Sequence, residues 1–112
     1  MIYVPVGLFA LAAVLGLTIL LKIIRNRATY KPLVFLHGSF AVIALVILIL
    51  NFMSNPKGLY LIVGLFWLTA VMGLSTFAYD ITKREPPKIV ALLHAGAAIT
   101  SFALLVLYVF YW

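Results

Sequence analysis

Four uninterrupted apolar stretches, residues 3–24, 33–53, 59–78 and 89–111, constrain this chain more than any motif it carries. Each is close to the roughly 20 residues that a helix needs to cross a hydrocarbon core of about 30 Å. A chain that is 67% hydrophobic, with Asp80 and Glu85 as its only acids, cannot bury that surface in a water-soluble fold of 112 residues. In lipid every backbone amide must be bonded within its own segment, and the alternating pattern of barrel strands is missing, so helices are the spanning element. The expected fold is an all-α membrane protein, a four-transmembrane-helix bundle in one domain over residues 1–112, with the lipid bilayer as its first partner. The opening Met1-Ile2-Tyr3-Val4-Pro5 has no basic region and no cleavage site after it, which predicts a retained first helix and not a removed signal peptide.

The chain also matches itself. Shifted by 94 − 37 = 57 positions, Val6-Gly7-Leu8-Phe9 falls on Val63-Gly64-Leu65-Phe66, Gly16 on Gly73, Arg27 on Arg84, Lys31 on Lys88, His37 on His94 and Ala41 on Ala98. Leu on Leu is cheap in so apolar a chain, but His on His and Lys on Lys in one ungapped register is not. The register defines repeat one as residues 4–52 and repeat two as residues 61–109. Each repeat holds an even number of spans, so the expectation is two like-oriented helical hairpins related by an approximate two-fold axis along the membrane normal.

Charge sets the expected topology. Lys22, Arg25, Arg27 and Lys31 fall at the first connection and Lys83, Arg84 and Lys88 at the third, against Lys57 alone in the second. The positive-inside rule makes the first and third connections cytoplasmic and both termini extracytoplasmic. That distribution accounts for the net charge of +6 without invoking nucleic acid, and a polybasic head-group patch is a second use of the same residues. Ser54 to Gly58 reads as a tight turn that makes spans two and three antiparallel neighbours, and Pro86-Pro87 falls where a helix start tolerates proline. Tyr3, Tyr30, Tyr60, Tyr79, Tyr108 and Trp112 are interfacial anchors. With no cysteine, disulfides, thiolate-ligated clusters and thioether-attached haem are excluded.

His37 and His94 are the candidate site. Each lies five or six residues inside the cytoplasmic end of its span, roughly 8 Å deep at 1.5 Å per residue. An ionisable residue at that depth is costly and marks function by default, although a single intramembrane histidine also serves as hydrogen-bond glue between helices. Zinc would want three or four protein ligands, and no cysteine or carboxylate lies at that depth. A haem iron wants two axial ligands, so bis-histidine ligation of a non-covalent haem b, one imidazole from each repeat, fits the inventory. Ala41 and Ala98 follow one turn later and leave volume for a flat macrocycle. Gly16 and Gly73 would admit the ring edge, or else simply let helices pack closely. Thr18 and Ser75 offer hydroxyls to the second imidazole proton, or else bond their own helix carbonyls. Arg27, Lys31, Arg84 and Lys88 stand where two propionates would emerge, besides determining topology.

Lys31-Pro32-Leu33-Val34-Phe35-Leu36-His37-Gly38 and its echo Lys88-Ile89-Val90-Ala91-Leu92-Leu93-His94-Ala95 resemble the small four-span membrane b-type cytochromes and related four-span bacterial inner-membrane proteins. The resemblance implies one haem b, electron transfer beside a larger membrane redox complex or within a homo-oligomer, and a bacterial inner-membrane location. The chain departs from the larger b-type cytochromes in lacking their four-histidine, two-haem set. A non-catalytic accessory or pigment-binding subunit uses the same residues, and a proton or solute transporter is disfavoured because no carboxylate lies within a span.

Overall fold

The computed structural model describes residues 3–54, 58–82 and 88–111. They form α1 (Tyr3–Ile24), α2 (Lys31–Ser54), α3 (Leu59–Ile81) and α4 (Lys88–Tyr111), each long and apolar enough to cross a membrane. The readings placed on Asn55, Pro56, Lys57, Lys83, Arg84, Glu85, Pro86, Pro87 and Trp112 lie outside the described residues.

Hydropathy located the spans but not the helix ends, because backbone bonding does not stop where lipid does. α2 starts at Lys31-Pro32, ahead of its apolar stretch, where the missing proline amide costs nothing. α3 runs past residue 78 through Asp80 to Ile81 and ends at Thr82, whose hydroxyl donates to the Ala78 carbonyl at 2.8 Å. α1 ends in a Schellman turn: the Arg27 amide donates to the Lys22 carbonyl at 2.8 Å and the Asn26 amide to that of Ile23 at 3.1 Å. Asn26 holds the required left-handed backbone at φ 56, which asparagine tolerates better than most side chains.

The bundle measures 41 × 23 × 20 Å, its long dimension exceeding a hydrocarbon core of about 30 Å. α1 packs most extensively on α2 and α3 on α4; α1 also lies along α4, while the α2–α3 seam is the thinnest. The helices thus stand at the corners of a square, with α1 opposite α3 and α2 opposite α4. Leu11, Val14, Leu17, Val42, Val46, Leu68, Val71 and Ile99 point outward and exposed, and an apolar exterior of this extent belongs against lipid. This is an integral membrane protein built as a four-helix bundle.

Packing is unequal along the axis. Phe9, Ala44, Leu48, Leu59, Ile62, Val63, Phe66 and Leu105 form one close-packed core, all of it toward the end where α2 stops and α3 starts. Toward the other end, which carries Lys22, Arg25, Arg27, Lys31 and Lys88 and is called here the basic end, α1 beyond Ala12 buries only Ile23 and α4 before Ser101 only Ala91. α2 before Ala44 and α3 beyond Thr69 bury nothing fully.

At the basic end the α2–α3 seam is closed by side chains. Phe35 meets Phe77 edge-on with ring centroids 5.5 Å apart. Lys31 Nζ pairs with Asp80 Oδ2 at 2.7 Å, and Thr29 Oγ1 donates to Asp80 Oδ1 at 2.7 Å. The Lys31 side chain remains 47% exposed, so solvent weakens the pair. Asp80→Asn is therefore expected to lower stability by less than about 1 kcal/mol, read as a small shift in thermal unfolding in detergent.

Candidate functional site

The two histidines come from diagonal helices and meet inside the bundle. Their ring centroids are 6.3 Å apart and their planes 86° to one another. His37 Nδ1 donates to the Ala12 carbonyl of α1 at 2.7 Å, and His94 Nδ1 donates to the Thr69 carbonyl of α3 at 2.8 Å. The acceptors are related by 69 − 12 = 57, the same interval as the histidines.

A glycine opens each of these carbonyls to the ring. Gly16 follows Ala12, and Gly73 follows Thr69, by one helical turn, so the absent side chain lies directly beside the carbonyl that the imidazole reaches. A Cβ at Gly16 would stand 2.8 Å from His37 Cε1, and one at Gly73 would stand 2.8 Å from His94 Cε1. The space was expected to admit a macrocycle edge; the imidazole itself fills it.

The hydrogen bond settles the tautomer. A backbone carbonyl can only accept, so Nδ1 carries the proton and the neutral ring keeps an unprotonated lone pair at Nε2. Among the described residues neither Nε2 has a hydrogen-bond partner, and neither is a sealed orphan. Two lone pairs cannot bond each other. Nitrogens on the line between the centroids, each roughly 1 Å from its ring centre, would be about 4 Å apart: too far for an N–H···N bond of about 3 Å, and twice a metal–imidazole bond of about 2 Å. Among the described residues no cluster of three or more His, Cys, Asp or Glu side chains offers a fuller protein ligand set.

Neither a scan of protein-family models nor comparisons with curated proteins and with solved structures finds a match to this chain. The chemistry of the site is therefore carried by its own geometry.

The surrounding residues divide. Ala41 and Ala98 are half-buried, one turn along from the histidines on the same helix face. Thr18 and Ser75 are exposed, two positions from the inward glycines and so turned to the far side of their helices. Thr18 donates to its own Val14 carbonyl at 3.2 Å; the imidazole proton goes to a main-chain oxygen instead. Lys31 is held by Asp80, Arg27 and Lys88 are exposed, and Arg84 lies outside the described residues.

Three features of this site were not anticipated. The carbonyl acceptors leave no mark in sequence except the glycine one turn after each. Thr69 and Ser101 bring buried hydroxyls to 3.5 Å of each other just beyond the histidines, where repeat one has Ala12 and Ala44. The aromatic pair Phe9–Phe66, also 57 apart in sequence, stacks at 4.0 Å with planes 8° apart and floors the site.

Proposed function

We propose that this chain is a one-haem membrane cytochrome in which His37 and His94 are the two axial ligands of a haem b. The observation that carries the reading is the pair of inward imidazoles at 6.3 Å, each with its proton bonded away and its Nε2 lone pair left for an electrophile. The sparse packing at the basic end agrees with it, because the close-packed core stops at the Phe9–Phe66 floor and the histidine level lies beyond it. Bound there, the haem would supply one-electron transfer. The protein's part is to hold both rings by main-chain hydrogen bonds, near perpendicular, in a low-dielectric bundle, so that the ligand set reorganises little between oxidation states. Lys88, free of described acids, is the cation available to the haem carboxylates. The electron partner is a larger membrane complex or a second copy of the chain.

The competing reading is an accessory subunit, or a pigment-binding one, and the same two hydrogen bonds favour it, since each fastens a helix to its neighbour. An absorption spectrum of the purified protein, oxidised and then reduced with dithionite, separates the two. A sharp low-spin α-band supports the cytochrome; a colourless protein from haem-replete cells leaves the subunit.

The contacts that recur at an interval of 57 support a bundle of two like-oriented hairpins, 4–52 and 61–109, and the crowding of bases at one end supports a cytoplasmic basic end in a bacterial inner membrane. With cysteine placed at Ala28 or at Ser54, an impermeant maleimide is expected to label only Ser54→Cys in intact cells. Labelling of Ala28→Cys alone would invert the topology.

A further inference from the structure

The end of α1 carries a cleft that the histidine site does not use. It has a volume of about 180 Å³ and is lined by Thr18, Leu21, Lys22, Arg25 and Arg27. Thr18, Lys22 and Arg25 share one face of α1, at helical spacings of four and three. Arg27 joins them because the Schellman turn at Asn26 folds the chain back on the last turn of the helix, with the Arg27 amide on the Lys22 carbonyl. Among the described residues the single acid is Asp80, and Lys31 and Thr29 hold it, so the three cations of the cleft have no counter-charge among those residues.

Topology alone does not require this concentration of charge. At the corresponding end of α3 the positions of Lys22 and Arg25 are taken by Tyr79 and Thr82, so the cleft belongs to one corner of the bundle. Its direction is also informative. From Thr18 to Arg25 the helix rises about 10 Å, from inside the apolar stretch to beyond it, and Leu17 and Leu21 lie exposed along the way.

We propose that this cleft binds the phosphodiester of an anionic phospholipid, with Lys22, Arg25 and Arg27 around the phosphate and Thr18 and Leu21 beside the glycerol and the first acyl carbons. A free phosphate ion would use the cations but gain nothing from the apolar wall. This inference does not depend on the histidine site.

The test uses the full chain in neutral detergent, with bound lipid counted by native mass spectrometry after addition of phosphatidylglycerol or phosphatidylcholine. Phosphatidylglycerol is expected to be retained in preference, and Arg25→Gln and Arg27→Gln are each expected to weaken it about fivefold, the worth of one cation at an anionic surface. Asn26→Val keeps every charge but puts a β-branched residue where the backbone is left-handed, so it is expected to lose the preference, while Asn26→Gly keeps it. Equal retention of the two lipids, or an Asn26→Val protein that binds like the parent, would overturn the site in favour of diffuse charge. Displacement of the lipid by equimolar glycerol 3-phosphate would overturn the lipid as its ligand and leave a free-phosphate site.

Discussion

His37→Ala or His94→Ala is expected to abolish the low-spin α-band of the haem-loaded protein or convert the iron to high spin, and either single change is expected to act almost as strongly as both together. The reason is that the proposed ligand set has little reserve: among the described residues no third His, Cys, Asp or Glu side chain clusters with the pair. Removing one imidazole leaves five-coordinate iron or none. His→Met tests the same geometry differently, since a thioether keeps six-coordination but raises the potential. Retention of an unshifted low-spin spectrum by the double alanine variant would exclude the pair as ligands.

Gly16→Ala and Gly73→Ala are expected to rank next, although each adds one methyl group. The new Cβ would stand 2.8 Å from the Cε1 of the partnered histidine, so the ring must leave its carbonyl or the two helices must part. Overpacking of that kind costs about 1–3 kcal/mol, and the lost histidine–carbonyl bond adds to it. Gly7, Gly38, Gly64 and Gly96 are the controls, because a Cβ at any of them meets nothing within 4 Å. Alanine there is expected to be neutral or to stabilise by up to about 1 kcal/mol through helix propensity. Opposite signs from the same chemical change, read by thermal unfolding of the haem-free protein, would separate the histidine cradle from ordinary helix packing; equal effects at Gly16 and Gly64 would count against the cradle.

The spans were legible because hydrocarbon thickness dictates a length and apolar side chains report it directly. Helix ends were less so: α3 carries Asp80 past the apolar edge because a helix continues wherever its amides find partners. Asp80 also shows what linear reading misses. Its neighbours in sequence are Lys83 and Arg84, yet its carboxylate reaches across a seam to Lys31 and Thr29, a choice made by helix phase. The approach of the two histidines could be expected from their common register and depth. The fixing of their tautomers could not, because the groups responsible are main-chain oxygens, and every residue has one. Thr18 and Ser75 attracted attention for their hydroxyls, but two positions along a helix from an inward glycine is nearly the opposite face.

The uneven filling of the bundle bears on how such a protein is made. Its close-packed half is complete with the chain's own side chains, so under the proposed function helix pairing would not have to wait for the haem. Haem loading, on that proposal, would be a separate and later event at the basic end, limited by cofactor supply and not by folding. Amide exchange in the haem-free protein should accordingly be slowest from Phe9 to Ala12 and from Ala44 to Leu48, and faster around His37 and His94 until loading is complete.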